Sequence, residues 1–206
     1  MTATPDHKRA YHHGGLKEAL IDAAHQLITE KGVDNFTMTD ASRMAGVSAA
    51  APYRHFADRQ ALIDALATRG YIALAERTRA ERDRLGIGTV PSMIAMGQAY
   101  VRFAVEEPEL YRLMVGRHVE NKFMIEPDPE GRKCYEVLLE AVQAYLDANP
   151  GIGLSLWEVA IPLWSLVHGT ASLLIDRNFE VMAPETDPDR VIEATTIAFF
   201  AGLAQA

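Results

Sequence analysis

The sequence predicts an all-α protein in which a small three-helix unit is followed by a longer helical bundle. Apolar residues recur at three- and four-residue spacing along most of the chain, and no segment alternates as a half-buried strand would. Pro91, Pro108 and Pro188 each stand where a helix would begin, a position that needs no backbone donor. We expect three parts: a flexible arm over 1–13, a first domain over 14–74 and a second domain over 75–206.

Two helices open the first domain. Apolar residues at helical spacing predict the first over 16–31, and Gly32 is expected to end it. Thr37 is expected to cap the second, because Asp40 stands three residues later as in a capping box. Gly46 is expected to end that helix in the left-handed conformation that glycine adopts at low cost.

A short third helix and a long fourth helix follow. The stretch GVSAAAPYRHF, residues 46–56, predicts a helix that starts near Ser48 and holds Pro52 close to its first turn. Asp58 is expected to cap a fourth helix that runs towards Leu85. Two short helices joined by a glycine turn form a helix-turn-helix, which places its second helix in the major groove of DNA.

The predicted motif, residues 37–56, divides into an apolar core and an outward face. The expected core residues are Phe36, Met38, Ala41, Ala45, Val47 and Phe56. Outward polar side chains can bond phosphate oxygens, and arginine can also bond a guanine edge. The residues expected to contact DNA are Thr37, Thr39, Arg43, Ser48, Ala49, Ala50, Tyr53, Arg54, His55 and Arg59.

Net charge alone argues against a nucleic-acid partner, because the chain carries −8 and phosphate repels an acidic surface. Residues 1–60, however, balance 7 Lys and Arg against 7 Asp and Glu, and they hold 5 of the 7 histidines. The excess negative charge therefore lies in residues 61–206. An acidic solvated surface is the commoner explanation of this asymmetry, so the charge permits DNA contact in the first domain without establishing it.

Residues 36–66, FTMTDASRMAGVSAAAPYRHFADRQALIDAL, resemble the DNA-binding region of the tetracycline-repressor (TetR) family. The matches are Thr37, Ala45-Gly46-Val47-Ser48, Tyr53-Arg54-His55-Phe56 and Asp58-Arg59-Gln60. The chain departs from the pattern at Ala41-Ser42, where Ile-Ala is usual, and at Arg59-Gln60, where Lys-Glu is usual. Arg59 keeps the positive charge that would meet a phosphate at the start of a helix.

The second domain is expected to be helical throughout, apart from a loop over 117–130. The predicted helices cover 91–107, 108–116, 131–148, 155–177 and 188–204. Residues 159–175 contain no charged side chain, yet this segment is short for a membrane span and includes Pro, Ser, His and Gly. We expect a helix buried on most sides and no membrane partner.

LWSLVHGTASLLI, residues 163–175, is similar to the Trp…His-Gly signature of one branch of the TetR family. Ser165, Gly169 and Ser172 are spaced to let another helix approach closely, within the core or in a dimer. The resemblance implies a homodimer through the last two helices. The interface residues expected from both arguments are Ser165, Gly169, Ser172, Ile192, Thr195, Phe199 and Phe200.

The resemblance also implies a small-molecule effector, for which large or hydrogen-bonding side chains of the apolar helices are candidates. These are Tyr100, Phe103, Met114, Trp157, Trp164 and His168. Two interpretations stay open. Trp164 and His168 share one helix face and are either packed core residues or ligand contacts. The stripe that includes Met93, Met96 and Tyr100 is either core or the wall of an effector pocket.

These patterns favour a DNA-binding transcriptional regulator, a homodimeric repressor released from a near-palindromic operator by an apolar effector. The alternatives are an activator of the same fold and a helical interaction module without DNA binding. No GxSxG, P-loop, HExxH or GxGxxG motif favours an enzyme.

No cofactor or metal is expected. His7, His12 and His13 have no accompanying framework of cysteines or carboxylates. One cysteine, Cys134, suits a reducing compartment, and the polar N-terminal stretch does not resemble a signal peptide. The expected location is therefore the cytoplasm.

Overall fold

The computed structural model describes residues 15–116 and 129–204, with side chains from 133 onwards in the second range. These residues form helices joined by turns and contain no strand, which confirms the all-α prediction. The chain forms two compact units, and the boundary between the first and the second unit falls between Leu66 and Ala67, within the fourth predicted helix. The predicted arm over 1–13 and most of the predicted loop lie outside the described residues. Pro129 and Glu130 of that loop are instead the first residues of a helix.

The described residues contain nine α-helices and two short 3₁₀ turns. The α-helices are α1 Gly15–Lys31, α2 Met38–Met44, α3 Arg59–Leu85, α4 Val90–Glu106, α5 Pro108–Val115, α6 Pro129–Ala148, α7 Leu156–Ile175, α8 Asn178–Met182 and α9 Pro188–Leu203. The 3₁₀ turns cover Val33–Asn35 and Pro52–Arg54. Helix α8, which the sequence pattern does not predict, begins after Arg177 in the left-handed conformation, with φ of 60°.

The helix starts follow the local chemistry that the sequence predicts. Thr37 and Asp40 form a full capping box, in which the Asp40 amide donates to Thr37 Oγ1 at 3.1 Å and the Thr37 amide donates to Asp40 Oδ2 at 2.9 Å. The Ala61 amide donates to Asp58 Oδ1 at 2.8 Å at the start of α3. Gly46 has φ of +69°, as expected of the glycine that ends α2.

The predicted third helix does not begin at Ser48. An α-helix capped there would need a bond from the amide of residue 52 to the Ser48 carbonyl, and proline has no amide hydrogen. The Ser48 carbonyl instead accepts from the Ala51 amide at 3.0 Å, which forms a turn. A single 3₁₀ turn, Pro52–Arg54, then follows, and its first carbonyl accepts from the His55 and Phe56 amides.

The second unit is built around α4, which packs against α5, α7 and α9. Gly97 makes two of these close approaches possible, because a Cβ there would lie 3.0 Å from Ile192 Cγ2 on α9 and 3.1 Å from Val167 Cγ1 on α7. The core beneath these helices includes Met93, Met96, Val142, Tyr145, Val159, Leu163 and Phe200. Helix α4 therefore lies at the centre of the unit, within reach of three other helices.

Helix α7 is less buried than the sequence predicts. Its residues Trp157, Ile161 and Leu173 are 53%, 42% and 47% exposed, so an apolar face remains uncovered. By length and composition alone α7 could cross a membrane, although one such helix is weak evidence for a span. An exposed apolar face is also typical of a surface that contacts another protein.

Candidate functional site

The helix-turn-helix segment presents a polar face on a small apolar base. Phe36, Met38, Ala41 and Phe56 are buried beneath it, whereas Ala45 and Val47 of the predicted core are only partly buried. The side chains of Tyr53, Arg54 and His55 are exposed on and beside the 3₁₀ turn. The other exposed residues of the expected DNA-contacting set are Thr37, Thr39, Arg43, Ser48, Ala49 and Ala50.

The cap of α2 also positions a basic group. Arg43 is 75% exposed and donates from Nη2 to Asp40 Oδ1 at 2.9 Å. Hydrogen bonds from Thr37 lower the pKa of Asp40, so this carboxylate stays ionised and is bonded to both neighbours. The guanidinium of Arg43 retains donors that face solvent, which leaves it able to reach a phosphate.

Arg59, by contrast, is turned towards its own unit. Its Nε donates to the Phe36 carbonyl at 2.9 Å, and Nη2 donates to the Val33 carbonyl. The guanidinium carbon lies 4.5 Å from the centroid of the Phe36 ring. These contacts connect the start of α3 to the segment before α2. The side chain therefore has a structural role, although its sequence position suggested phosphate contact.

The second unit encloses a mainly apolar cavity between six helices. The space open to the centre of a water molecule is about 90 Å³, several times what one water needs. The residues that line it are Tyr71, Leu74, Thr78, Met93, Met96, Gly97, Tyr100, Tyr111, Val115, Cys134, Tyr135, Leu138, Leu163, Trp164, Val167 and Thr196. Of the expected effector contacts, the cavity thus includes Tyr100 and Trp164.

His168 lies beside the cavity and anchors a short polar chain. Tyr111 Oη lies 2.8 Å from His168 Nδ1, and Tyr100 Oη lies 3.2 Å from Tyr111 Oη and 3.3 Å from His168 Nδ1. Burial lowers the pKa of His168, so the ring is neutral near pH 7. The Trp164 ring is stacked at a tilt, 5.4 Å from the His168 ring between centroids.

Three expected effector contacts lie elsewhere. Phe103 is buried in the core, with Arg77 over its ring at 5.3 Å. Met114 is equally buried, and its carbonyl accepts from Tyr71 Oη at 2.6 Å. Trp157 is half exposed and packs near Tyr135. These three side chains were chosen for their size and polarity. Which large side chains line the cavity depends instead on the face of the helix that each occupies.

The cavity also includes four residues that the sequence pattern did not indicate: Tyr71, Tyr111, Cys134 and Thr196. Tyr111 follows Pro108 on the buried face of the strongly amphipathic helix α5, a pattern that could have selected it. Burial raises the pKa of the Cys134 thiol to about 12, and the thiol therefore stays protonated. Among the described lining residues there is no Lys, Arg, Asp or Glu.

Comparison with known sequences assigns both units. Residues 20–66 match the family described as "Bacterial regulatory proteins, tetR family", and residues 93–199 match "Tetracyclin repressor-like, C-terminal domain". The second match covers more than half of the chain and includes Trp164, His168 and Gly169. The chain belongs to the TetR family. It is therefore a DNA-binding transcriptional regulator, and dimerisation and ligand binding are typical of its relatives.

Individual relatives and solved structures are similar to most of this chain. The TetR-family regulator is 25% identical over 168 residues to the "Uncharacterized HTH-type transcriptional regulator YobS" of Bacillus subtilis, covering 81% of this chain and 83% of the other. A solved structure of a protein with unknown function from Rhodococcus sp. RHA1 is 30% identical, with a TM-score of 0.79 over 96% of this chain and 100% of the other. A TetR-family regulator from Streptomyces coelicolor shares the fold at 22% identity, with a TM-score of 0.58 over 92% and 98%.

The uncovered apolar face of this TetR-family regulator lies on α7 and α9, which pack against each other. Ile161, Ser165 and Leu173 are exposed on α7, and Thr195 and Ile197 are exposed on α9. Of the other expected interface residues, Gly169, Ser172 and Phe199 are partly buried. Ile192 and Phe200 point inward, because Ile192 is fully buried and Phe200 packs on Tyr145 with ring centroids 4.5 Å apart.

Proposed function

We propose that this TetR-family regulator is a cytoplasmic homodimeric repressor that leaves a near-palindromic operator when a small apolar effector occupies the cavity. The observation that carries the proposal is the span of helix α3. It begins at Arg59 in the helix-turn-helix unit, and its residues Tyr71, Leu74 and Thr78 line the cavity of the second unit. One helix thus begins in the first unit and lines the cavity of the second.

Control of DNA binding follows from linkage. A ligand that prefers one arrangement of α3 must weaken DNA affinity if the DNA-bound dimer needs another, and DNA must weaken ligand affinity by the same factor. Tyr71 is the natural point of action, since it lines the cavity and donates to the carbonyl of Met114 on α5. A ligand that displaces Tyr71 would alter the contact between α3 and α5.

The DNA contacts proposed are those of the exposed face of the helix-turn-helix. Tyr53, Arg54 and His55 offer donors to phosphate, and Arg43 adds an exposed guanidinium. Ala49 and Ala50 are exposed without polar atoms beyond the backbone, so they admit close approach and methyl contacts. Arg59 is left out of this set because its guanidinium is bonded to two carbonyls of its own unit.

A second copy of the chain is the proposed cover for the α7 and α9 face. Large exposed apolar groups such as Ile161, Leu173 and Ile197 favour association. Gly169 has open space where a Cβ would stand, which leaves room for a partner helix to approach. A two-fold dimer places two helix-turn-helix units symmetrically, and such a pair binds an inverted repeat.

Selection of bound duplexes from a random pool tests the DNA side of the proposal. We expect an inverted repeat, and a Tyr53→Ala/Arg54→Ala/His55→Ala triple variant should enrich no motif. The selected site is then placed in a reporter promoter. Lower transcription supports a repressor, higher transcription would make the protein an activator, and an asymmetric single site would overturn the dimeric arrangement.

A further inference from the structure

The cavity has a chemical preference that can be derived from its lining. Five aromatic side chains surround it: Tyr71, Tyr100, Tyr111, Tyr135 and Trp164. Flat aromatic surfaces favour a ring, and a space of about 90 Å³ suits a small one. None of the described lining residues is a charged side chain that could pair with an ion, and an unpaired ion is costly to bury. The lining therefore favours an uncharged ring compound.

The hydrogen bonds among Tyr100, Tyr111 and His168 determine which polar group a bound ring can carry. Phenol is a stronger acid than neutral imidazole, and an imidazole nitrogen is a stronger acceptor than a phenol oxygen. Tyr111 Oη therefore donates to His168 Nδ1 across 2.8 Å. That bond uses the single lone pair of Nδ1, so His168 Nδ1, 3.3 Å from Tyr100 Oη, offers it no donor, and Tyr111 Oη at 3.2 Å is left to accept from Tyr100. The hydroxyl hydrogen of Tyr100 is thus committed as well.

The Tyr100 hydroxyl oxygen can therefore accept further hydrogen bonds but cannot donate one. A hydroxyl oxygen has two lone pairs, and the indole of Trp164 hydrogen-bonds to this oxygen, using one of them. Because Tyr100 lines the cavity, the other lone pair is available to a molecule inside it. A ligand group that can only accept, such as an ether, would face an oxygen with no hydrogen left to offer.

We infer that the cavity binds small neutral phenols or cyclic alcohols, whose hydroxyl donates to Tyr100 Oη. The inference rests on the proposed effector role of the cavity. It makes Tyr100 the residue that determines specificity, and it makes His168 a positioning residue that acts through Tyr111. Replacing His168 by Phe would free the Tyr111 proton for Tyr100, and Tyr100 could then donate to the ligand.

Binding of four simple probes to the purified full-length protein tests the inference by ligand-observed NMR titration. Phenol can donate, toluene has a methyl group in place of the hydroxyl, anisole can only accept, and benzoate is charged. We expect phenol to bind about five- to tenfold more tightly than toluene or anisole, the size of one neutral hydrogen bond. Equal affinities, tighter binding of anisole or benzoate, or no binding of phenol would overturn the inference.

Two variants sharpen the test. Tyr100→Phe should remove the preference for phenol over toluene while toluene affinity stays within about twofold. His168→Phe should move the preference towards anisole. Tyr145→Phe is the matched control, because Tyr145 packs on Phe200 and is not among the described lining residues. An unchanged phenol preference in Tyr100→Phe, with the variant's melting temperature intact, would assign the selectivity to another group.

DNA release separates this inference from the proposed function. If phenol binds with the expected pattern but leaves DNA affinity unchanged, the ligand class stands and the effector role of this cavity fails. If compounds without a donor bind as tightly as phenol and release DNA, the effector role stands and the ligand class fails. Operator binding is measured by fluorescence anisotropy on the selected duplex.

Discussion

The guanidinium of Arg59 rests on the ring of Phe36, and its Nε donates to the Phe36 carbonyl at 2.9 Å. The two residues stand 23 positions apart, so the contact ties the first turn of α3 to the chain just before α2. The adjoining bond to the Val33 carbonyl strengthens the same connection. A residue expected from its sequence position to meet phosphate thus stabilises the helix-turn-helix unit.

Arg59→Ala should therefore destabilise the protein. We expect the free energy of unfolding to fall by about 1–3 kcal/mol, from two partly buried hydrogen bonds and a cation–π contact. Urea unfolding followed by circular dichroism measures it. Arg43→Ala is the control, because that side chain is mostly exposed and its ion pair contributes little. Equal stability of both variants, together with a shallower salt dependence of DNA binding for Arg59→Ala, would restore the phosphate role.

Substitutions on the exposed turn should weaken DNA binding without harming the fold. Tyr53→Phe and His55→Ala each remove a donor, and each should lower affinity about three- to tenfold on all sequences alike. Arg54→Ala should also reduce the slope of log affinity against log salt by about 0.9 for each phosphate that the protein no longer neutralises. Anisotropy titrations at several salt concentrations measure both effects. Arg177→Ala, an exposed arginine of α8's cap, should change neither quantity.

Charge placed on the uncovered face should separate the dimer. Leu173→Arg and Ile197→Arg would each bury an unpaired cation, and the dimer dissociation constant should rise by about 100-fold or more. Sedimentation velocity over a concentration series measures it. Val181→Arg is a control at an 81% exposed apolar residue of α8. Wild-type dimerisation of both test variants would place the interface on another surface.

Gly88 is the glycine at which a side chain should be least tolerated. Its φ is +76°, and an added Cβ would lie 2.8 Å from backbone atoms of Ala144 and Tyr145. Gly88→Ala should cost about 2–3 kcal/mol, because both the conformation and the overlap oppose it. Gly151→Ala should be near neutral, since a Cβ there meets nothing within 4 Å. Thermal melts of the two variants and the wild type provide the comparison.

The pH dependence of stability should reveal the neutral state of His168. Burial lowers its pKa in the folded protein, so below about pH 6.5 the unfolded chain takes up a proton that the folded protein refuses. The contribution of neutral His168 to the free energy of unfolding is therefore complete above about pH 6.5. It is lost as the pH falls through the lowered pKa of His168 in the folded protein. Relative to His168→Gln, which does not titrate, the wild-type melting temperature should drop between about pH 7.5 and 5.5. A constant difference between the two proteins would contradict a lowered pKa.

Local chemistry made most of the fold predictable. Thr37 with Asp40, Asp58 and Gly46 each act within a few residues of their own position, and the structure places each as expected. The prediction of a third helix from Ser48 was wrong for an equally local reason. Pro52 lacks the amide hydrogen that this helix would need, and this outweighed the favourable cap at Ser48. That outcome could have been derived by asking which bond each amide would make.

The candidate site was less predictable because it depends on which way each side chain faces and on contacts between residues that are far apart in the sequence. Ile192 and Phe200 are as apolar as an interface residue should be, yet both face the core, and only the packing of α9 shows this. Met114 and Phe103 are large and lie on helices that line the cavity, but both are buried in the core and neither is among the described lining residues. Tyr111 meets His168 across 57 positions of chain. No local pattern encodes such a pairing.

The thiol of Cys134, the chain's single cysteine, provides a natural reporter on the cavity. With its pKa at about 12 against an ordinary value of 9.0, the thiol holds about a thousandfold less thiolate than an exposed one at neutral pH. Alkylating reagents react with thiolate, so labelling of this partly exposed thiol should be slow at neutral pH. Because Cys134 lines the cavity, a bound molecule that covers the thiol should slow its labelling further, which reports on binding without any tag or engineered probe.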